Sequence, residues 1–182
     1  RLEPPRSRVR SRNDEECMSI KFEIYRDGNR VTQFTPQGAI SIGPESVPVT
    51  GEGHFKDGYL VCEKNDDHAT AVGLLWDCGP IGAYHIETTR LPPSDKPYNL
   101  NVELARFRLM RIVQKQEDWN LFDFPRAERF GQRFKEAQSL FAEALGKQDS
   151  PAEAAKLADA SLAESVDLSE QLANFHAELL IN

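Results

Sequence analysis

The side chains that could carry chemistry are few and scattered. Four histidines, His54, His68, His85 and His176, and three cysteines, Cys17, Cys62 and Cys78, are the softer metal donors of the chain. A structural zinc ion wants four such ligands at recognisable spacing, because a tetrahedral centre fixes their separations. No H-E-x-x-H or C-x-x-C is present, and Cys62, His68 and Cys78 lack a fourth partner, so no metal is expected. Asp66-Asp67 beside His68 has the residue types of an acid/base pair, but acids next to Asn65 between two strands are ordinary turn formers. Gly79 and Gly82 lack the pattern of a phosphate-binding loop, and no serine sits in a G-x-S-x-G elbow. The sequence therefore predicts no catalytic residue and no cofactor.

Binding by stacking is the chemistry these residue types do allow. Phe55, Tyr59, Trp76 and Tyr84 fall in strand-like segments. The apolar C–H face of a sugar ring desolvates well against an aromatic ring. Trp76, Tyr59 and Tyr84 are accordingly the candidate ligand-binding residues. The competing reading is that strand aromatics fill a core, above all Trp76, and the sequence leaves both readings open for the two tyrosines. Phe130, Phe134 and Phe141 recur at helical spacing and read as packing, and Trp119 reads as a plug at a loop.

The elements that position these residues change at one place. Leu91 to Arg106 reads LPPSDKPYNLNVELAR, and Pro92, Pro93 and Pro97 each fix φ and push the preceding residue toward extended backbone. Upstream, apolar residues alternate with polar ones; downstream they recur every three or four residues. The expected strands are Ile20 to Ile24, Arg30 to Phe34, Ala39 to Ile42, Glu52 to Lys56, Tyr59 to Glu63, Thr70 to Trp76 and Gly82 to Thr89. Asp27-Gly28-Asn29 and Asp57-Gly58 are hairpin turn signals, since both accept φ > 0. Short strands joined by tight turns predict an antiparallel sandwich or small barrel, with connections too short for parallel crossovers. Past the prolines, Asn99 or Asn101 caps a helix reaching about Trp119, and Pro125 opens a second that stops at Gly146. The capping box Ser150-Pro151-Ala152-Glu153 opens a third.

The expected organisation is thus α+β: a tail over 1–17, an antiparallel β-sandwich over 18–90, a proline hinge over 91–98 and a three-helix part over 99–182. The tail holds five arginines before Asn13, then Asp14, Glu15 and Glu16, with too little apolar surface to fold, and reads as disordered. A net charge of −7 over 182 residues opposes binding to nucleic acid or to an anionic membrane, and no apolar run approaches the roughly 20 residues of a bilayer span. Unpaired cysteines and the absence of an apolar leader predict a reducing, cytoplasmic setting. A Cys62 to Cys78 disulfide is the alternative if their strands are neighbours. A last helix ending Leu179-Leu180-Ile181 without a stop signal predicts that more chain, or another surface, follows it.

The segments LPPSDKPYNLNVELARFRLMRI, QEDWNLFD and LANFHAELLIN, in this order, resemble the N-terminal region of bacterial proteins that carry a glycoside hydrolase family 10 barrel, the endo-1,4-β-xylanase-like family. IYRDG and the LLW segment of the β-part resemble it too, so that the likeness runs from Met18 to Asn182. That family works with two glutamates on barrel strands. Neither has a counterpart here, and a barrel of roughly 250 residues cannot fit. The resemblance implies a non-catalytic accessory module, its β-sandwich similar in outline to carbohydrate-binding modules and its helices bracing a barrel that lies beyond this chain. Expected partners are a polysaccharide or oligosaccharide and, through the last helix, the barrel or another protein. The alternative is a structural or interaction domain without a ligand. On either reading, no concave pocket is expected to gather ionisable side chains from both sides of the prolines.

Overall fold

A computed structural model describes residues 18–64, 68–121 and 128–181. The expected tail, the turn at 65–67 and the start of the second helix near Pro125 lie outside the described residues. Among the described residues nine strands precede three α-helices: β1 Met18–Glu23, β2 Tyr25–Arg26, β3 Asn29–Arg30, β4 Ile40–Ile42, β5 Pro48–Lys56, β6 Tyr59–Lys64, β7 Ala71–Asp77, β8 Ala83–Glu87 and β9 Tyr98–Asn99, then α1 Leu100–Asp118, α2 Glu128–Leu145 and α3 Pro151–Ile181. The chain is α+β. Among the described residues no helix is long and apolar enough to cross a membrane.

Seven strands join in the order β8-β7-β4-β5-β6-β1-β9, with β2-β3 as a separate ribbon. β5 serves both halves: its first residues pair with β4 and its last, Gly53 to Lys56, with β6. Both hairpin signals act as the residue types require. Asp27 and Gly28 take φ of 49° and 75°, and Asp57 and Gly58 take 53° and 82°. Two expectations are corrected. Arg30 to Phe34 is not a full strand, because only Asn29 and Arg30 pair back on β2 before Phe34 turns in against Phe55 and Trp76, with ring centroids 6.1 Å apart in each case. Pairing is also not wholly antiparallel, because Tyr98 and Asn99 lie parallel to Phe22 and Glu23 on β1. The whole β-part separates those partners, so the short-connection argument does not reach them.

Alternation decides what the sheet buries. Ile20 and Phe22 from β1, Ile24 just after it, Leu60 and Cys62 from β6, and Val72, Leu74 and Trp76 from β7 form one cluster with Leu100, Leu104, Ala105, Ala158 and Leu162 of the helices. Residues from both sides of the proline segment therefore share one core, and helices cover the sheet's inner face. α1 is buried all round over Leu100 to Ala105, which is why its apolar residues fall on more than one side. A second cluster is purely helical: Ile112, Leu121, Phe130, Leu168, Leu172 and Phe175. Local signals set the helix ends. Asn99 caps α1 through Val102 N–H, α2 ends one residue before Gly146, and α3 begins at Pro151 after Ser150. Glu153 points to Lys147, 3.2 Å away.

Candidate functional site

The β2–β3 turn brings Tyr25 and Asp27 against the first turns of α3, where Ala155, Lys156 and Asp159 complete a concavity of about 420 Å³. Behind its Tyr25 and Asp159 lies Asn101, the fully buried second residue of α1. The Tyr25 N–H donates to Asn101 Oδ1 at 3.1 Å, and Asn101 Nδ2 donates to the Tyr25 carbonyl at 3.0 Å. This satisfies both backbone groups of a strand end that has no sheet neighbour there. The same Nδ2 stands 2.9 Å from each carboxylate oxygen of Asp159. Burial pushes the Asp159 carboxyl up to about 6, against the pull of Asn101 and the Arg26 charge.

Ionisable groups from both sides of the prolines therefore meet in one pocket, contrary to the sequence-based expectation. A carboxyl near 6 titrates in the range useful for acid/base work. Here its oxygens face the Asn101 amide, so the group fastens α3 to α1 and to the hairpin. The polar chain continues outward. Tyr25 Oη donates to Glu23 Oε2 at 2.7 Å, and burial followed by that bond raises the phenol to about 12. Glu23 pairs with Arg30 at 3.3 Å, and the Arg30 guanidinium stands 4.3 Å from the centre of the Tyr59 ring.

Tyr59 is half-buried on the outer face of the sheet, since Leu60 and Cys62 on the same strand point inward. It lies in an open concavity of about 330 Å³ with Lys21, His54, Lys56, Val61 and Glu63. Trp76 and Tyr84 stand opposite each other on β7 and β8. Trp76 is 1% exposed and faces the core, with Phe34 against its ring and the Arg26 guanidinium 4.1 Å from its centroid. The structure thus brings Trp76 together with half-buried Tyr84 on the inner side and sets Tyr59 on the outer one. No single face carries all three.

Cys62 and Cys78 are free and buried, and burial raises their thiols to about 12 and about 11. Among the described residues no group of three or more His, Cys, Asp or Glu is placed to hold a metal ion. Trp119 stacks on His176 with centroids 4.5 Å apart, where a loop plug is expected. Sequence reasoning missed Asp159 and treated Asn101 only as a possible cap. The available signal was a lone acid set among Ala155, Ala158 and Leu162 on the buried side of an alanine-rich helix. Comparison with known proteins gives no match to a family model, to a curated protein or to a solved structure.

Proposed function

We propose that this chain is a non-catalytic accessory module of a xylanase-like glycoside hydrolase, and that it holds a glycan weakly on the outer face of its sheet. One observation carries the binding part: Tyr59 offers a half-buried ring on a strand face inside an open concavity whose rim supplies Lys21, His54, Lys56 and Glu63. A sugar stacks on such a ring, and the rim groups suit its hydroxyls. In this reading the two halves of the sheet that meet along β5 take the part of the layers of a carbohydrate-binding sandwich. Tyr84 and Trp76, on the inner side of the sheet, take no part in this contact. The non-catalytic part is supported by the engagement of Asp159 with Asn101.

Titration with xylan oligosaccharides, followed by amide NMR, tests the binding. Expected are saturable shifts at His54, Tyr59 and Val61, with an affinity reduced about tenfold in Tyr59→Ala, the loss of one aromatic contact. Shifts confined to other surfaces, or none, would remove glycan binding. A second reading, an interaction domain that docks through α3, is favoured by Leu180 and Ile181, which are 75% and 85% exposed beside the buried stripe of the same helix. It predicts concentration-dependent association in light scattering that Leu180→Ser with Ile181→Ser abolishes. A monodisperse monomer at all concentrations, with no partner retained by α3, would count against it.

A further inference from the structure

The arginines of the described residues fall into two kinds. Arg30, Arg106, Arg108 and Arg133 each meet a carboxylate, at 3.3 Å from Glu23, 2.9 Å from Glu103, 3.8 Å from Glu170 and 2.8 Å from Asp167. Arg90 and Arg111, like Arg26 over the Trp76 ring, meet none among the described residues, in a chain of net charge −7. Neutral acceptors hold them instead. Arg90 donates from Nε to the Gly43 carbonyl at 3.2 Å and from one Nη to Ser46 Oγ, while Arg111 donates to Gln114 Oε1 at 2.6 Å. Such bonds orient a guanidinium without neutralising it and leave most of its five donors unused.

Both arginines line one concavity of about 530 Å³ between the end of β8, the β4–β5 turn and the outward side of α1. Glu87 is the one acid on its described wall, so cations outnumber anions there. Beside Arg111 on α1 the wall is partly apolar: Phe107 is half-buried, and Met110 is 57% exposed, one of the most exposed large apolar side chains outside the end of α3. A guanidinium fork suits an oxyanion with two oxygens in one plane, and an exposed thioether and ring suit an apolar body beside it.

We propose that this concavity binds a small anion in which one oxyanion group, a carboxylate or a phosphate monoester, is joined to a compact apolar body. Arg90 and Arg111 take the oxygens; Phe107 and Met110 cover the body. The site shares no residue with the Tyr59 concavity and stands or falls apart from the glycan reading.

The test is amide NMR on the full chain at low ionic strength, with benzoate, phenyl phosphate, inorganic phosphate and uncharged benzyl alcohol as probes. Expected are saturable shifts over 87–90 and 107–114 with phenyl phosphate or benzoate, the tighter of the two identifying the oxyanion. Inorganic phosphate binds more weakly and benzyl alcohol gives no shift. Arg111→Gln, an exposed change that leaves the core untouched, lowers affinity about tenfold or more, as loss of a charge-assisted bond does. Met110→Ser weakens phenyl phosphate while leaving inorganic phosphate unchanged. The proposal is overturned if neither organic anion shifts these residues, if Arg111→Gln binds like the parent, or if inorganic phosphate binds as tightly as phenyl phosphate.

Discussion

Along α3 the packing changes character past Val166. Upstream, Ala154, Ala155, Ala158, Ser161 and Ser165 are buried, so the helix lies close to its neighbours and the contact is largely between backbones and small side chains. Downstream, Leu168, Leu172 and Phe175 interlock with Ile112, Leu121 and Phe130, and side-chain volume fills the space. The upstream region also carries polar fasteners, with Ser161 Oγ donating to the Ala137 carbonyl at 2.8 Å and Asp159 set against Asn101. Where a helix must be registered against a sheet and a hairpin, hydrogen bonds fix its position. Where helices meet one another past Val166, matched volumes fill the interior, and the polar links, Arg133 to Asp167 and Arg108 to Glu170, lie at its margin.

Removing volume from each region is the strongest test of that contrast. Leu74→Ala in the sheet core and Leu172→Ala in the helical core, both fully buried, should each cost about 2–5 kcal/mol in urea unfolding. Because the two sit in separate clusters, their costs should add to within about 0.5 kcal/mol, and a large coupling would merge the regions into one. Adding volume separates them differently. Ala158→Leu, at 0% exposure, should cost about 1–3 kcal/mol or more, whereas Ala160→Leu on the exposed side of the same helix should stay within about 0.5 kcal/mol.

A pH titration probes the polar fastener. Burial holds the Asp159 carboxyl at about 6, against an ordinary 3.8. Between those values the folded chain keeps a proton that the unfolded chain has lost, so this group makes stability fall as pH rises from about 4 to about 6, and the loss persists above. The full displacement corresponds to about 3 kcal/mol, which solvent reaching the half-buried group reduces to about 1–2 kcal/mol. Asp159→Asn should flatten that slope and stabilise the chain near neutral pH. An unchanged slope would show that Asp159 does not carry it. The smallest effect belongs to the exposed Lys147–Glu153 pair across the α2–α3 connection, where Lys147→Ala should change stability by less than about 0.5 kcal/mol.

Features set by neighbours in the chain were legible in the sequence. Asn99, Gly146 and Ser150-Pro151 mark helix ends because capping is decided within one turn, and Asp57-Gly58 marks a hairpin because two positive φ angles are needed side by side. The stripe of Leu168, Leu172 and Phe175 follows from helical periodicity alone. What remained hidden depends on residues far apart in sequence. Periodicity does not say that Asn101 will find the backbone of Tyr25, or that Arg90 and Arg111 will line one hollow. Residue type alone makes Tyr59 a candidate, but only the inward turn of Leu60 and Cys62 shows which side it faces.

The parallel pair of β1 with β9 bears on the order in which the chain can assemble. Hairpins such as β5–β6 close short loops and form early, whereas Tyr98 and Asn99 reach Phe22 and Glu23 only after the intervening strands have drawn the ends together. Asn99 is also the cap of α1, so completing that edge and seating the first helix are expected to fall in one late step. φ-values at Tyr98 well below those at Leu60 are the expected signature, and the reverse order would place the helix in the nucleus.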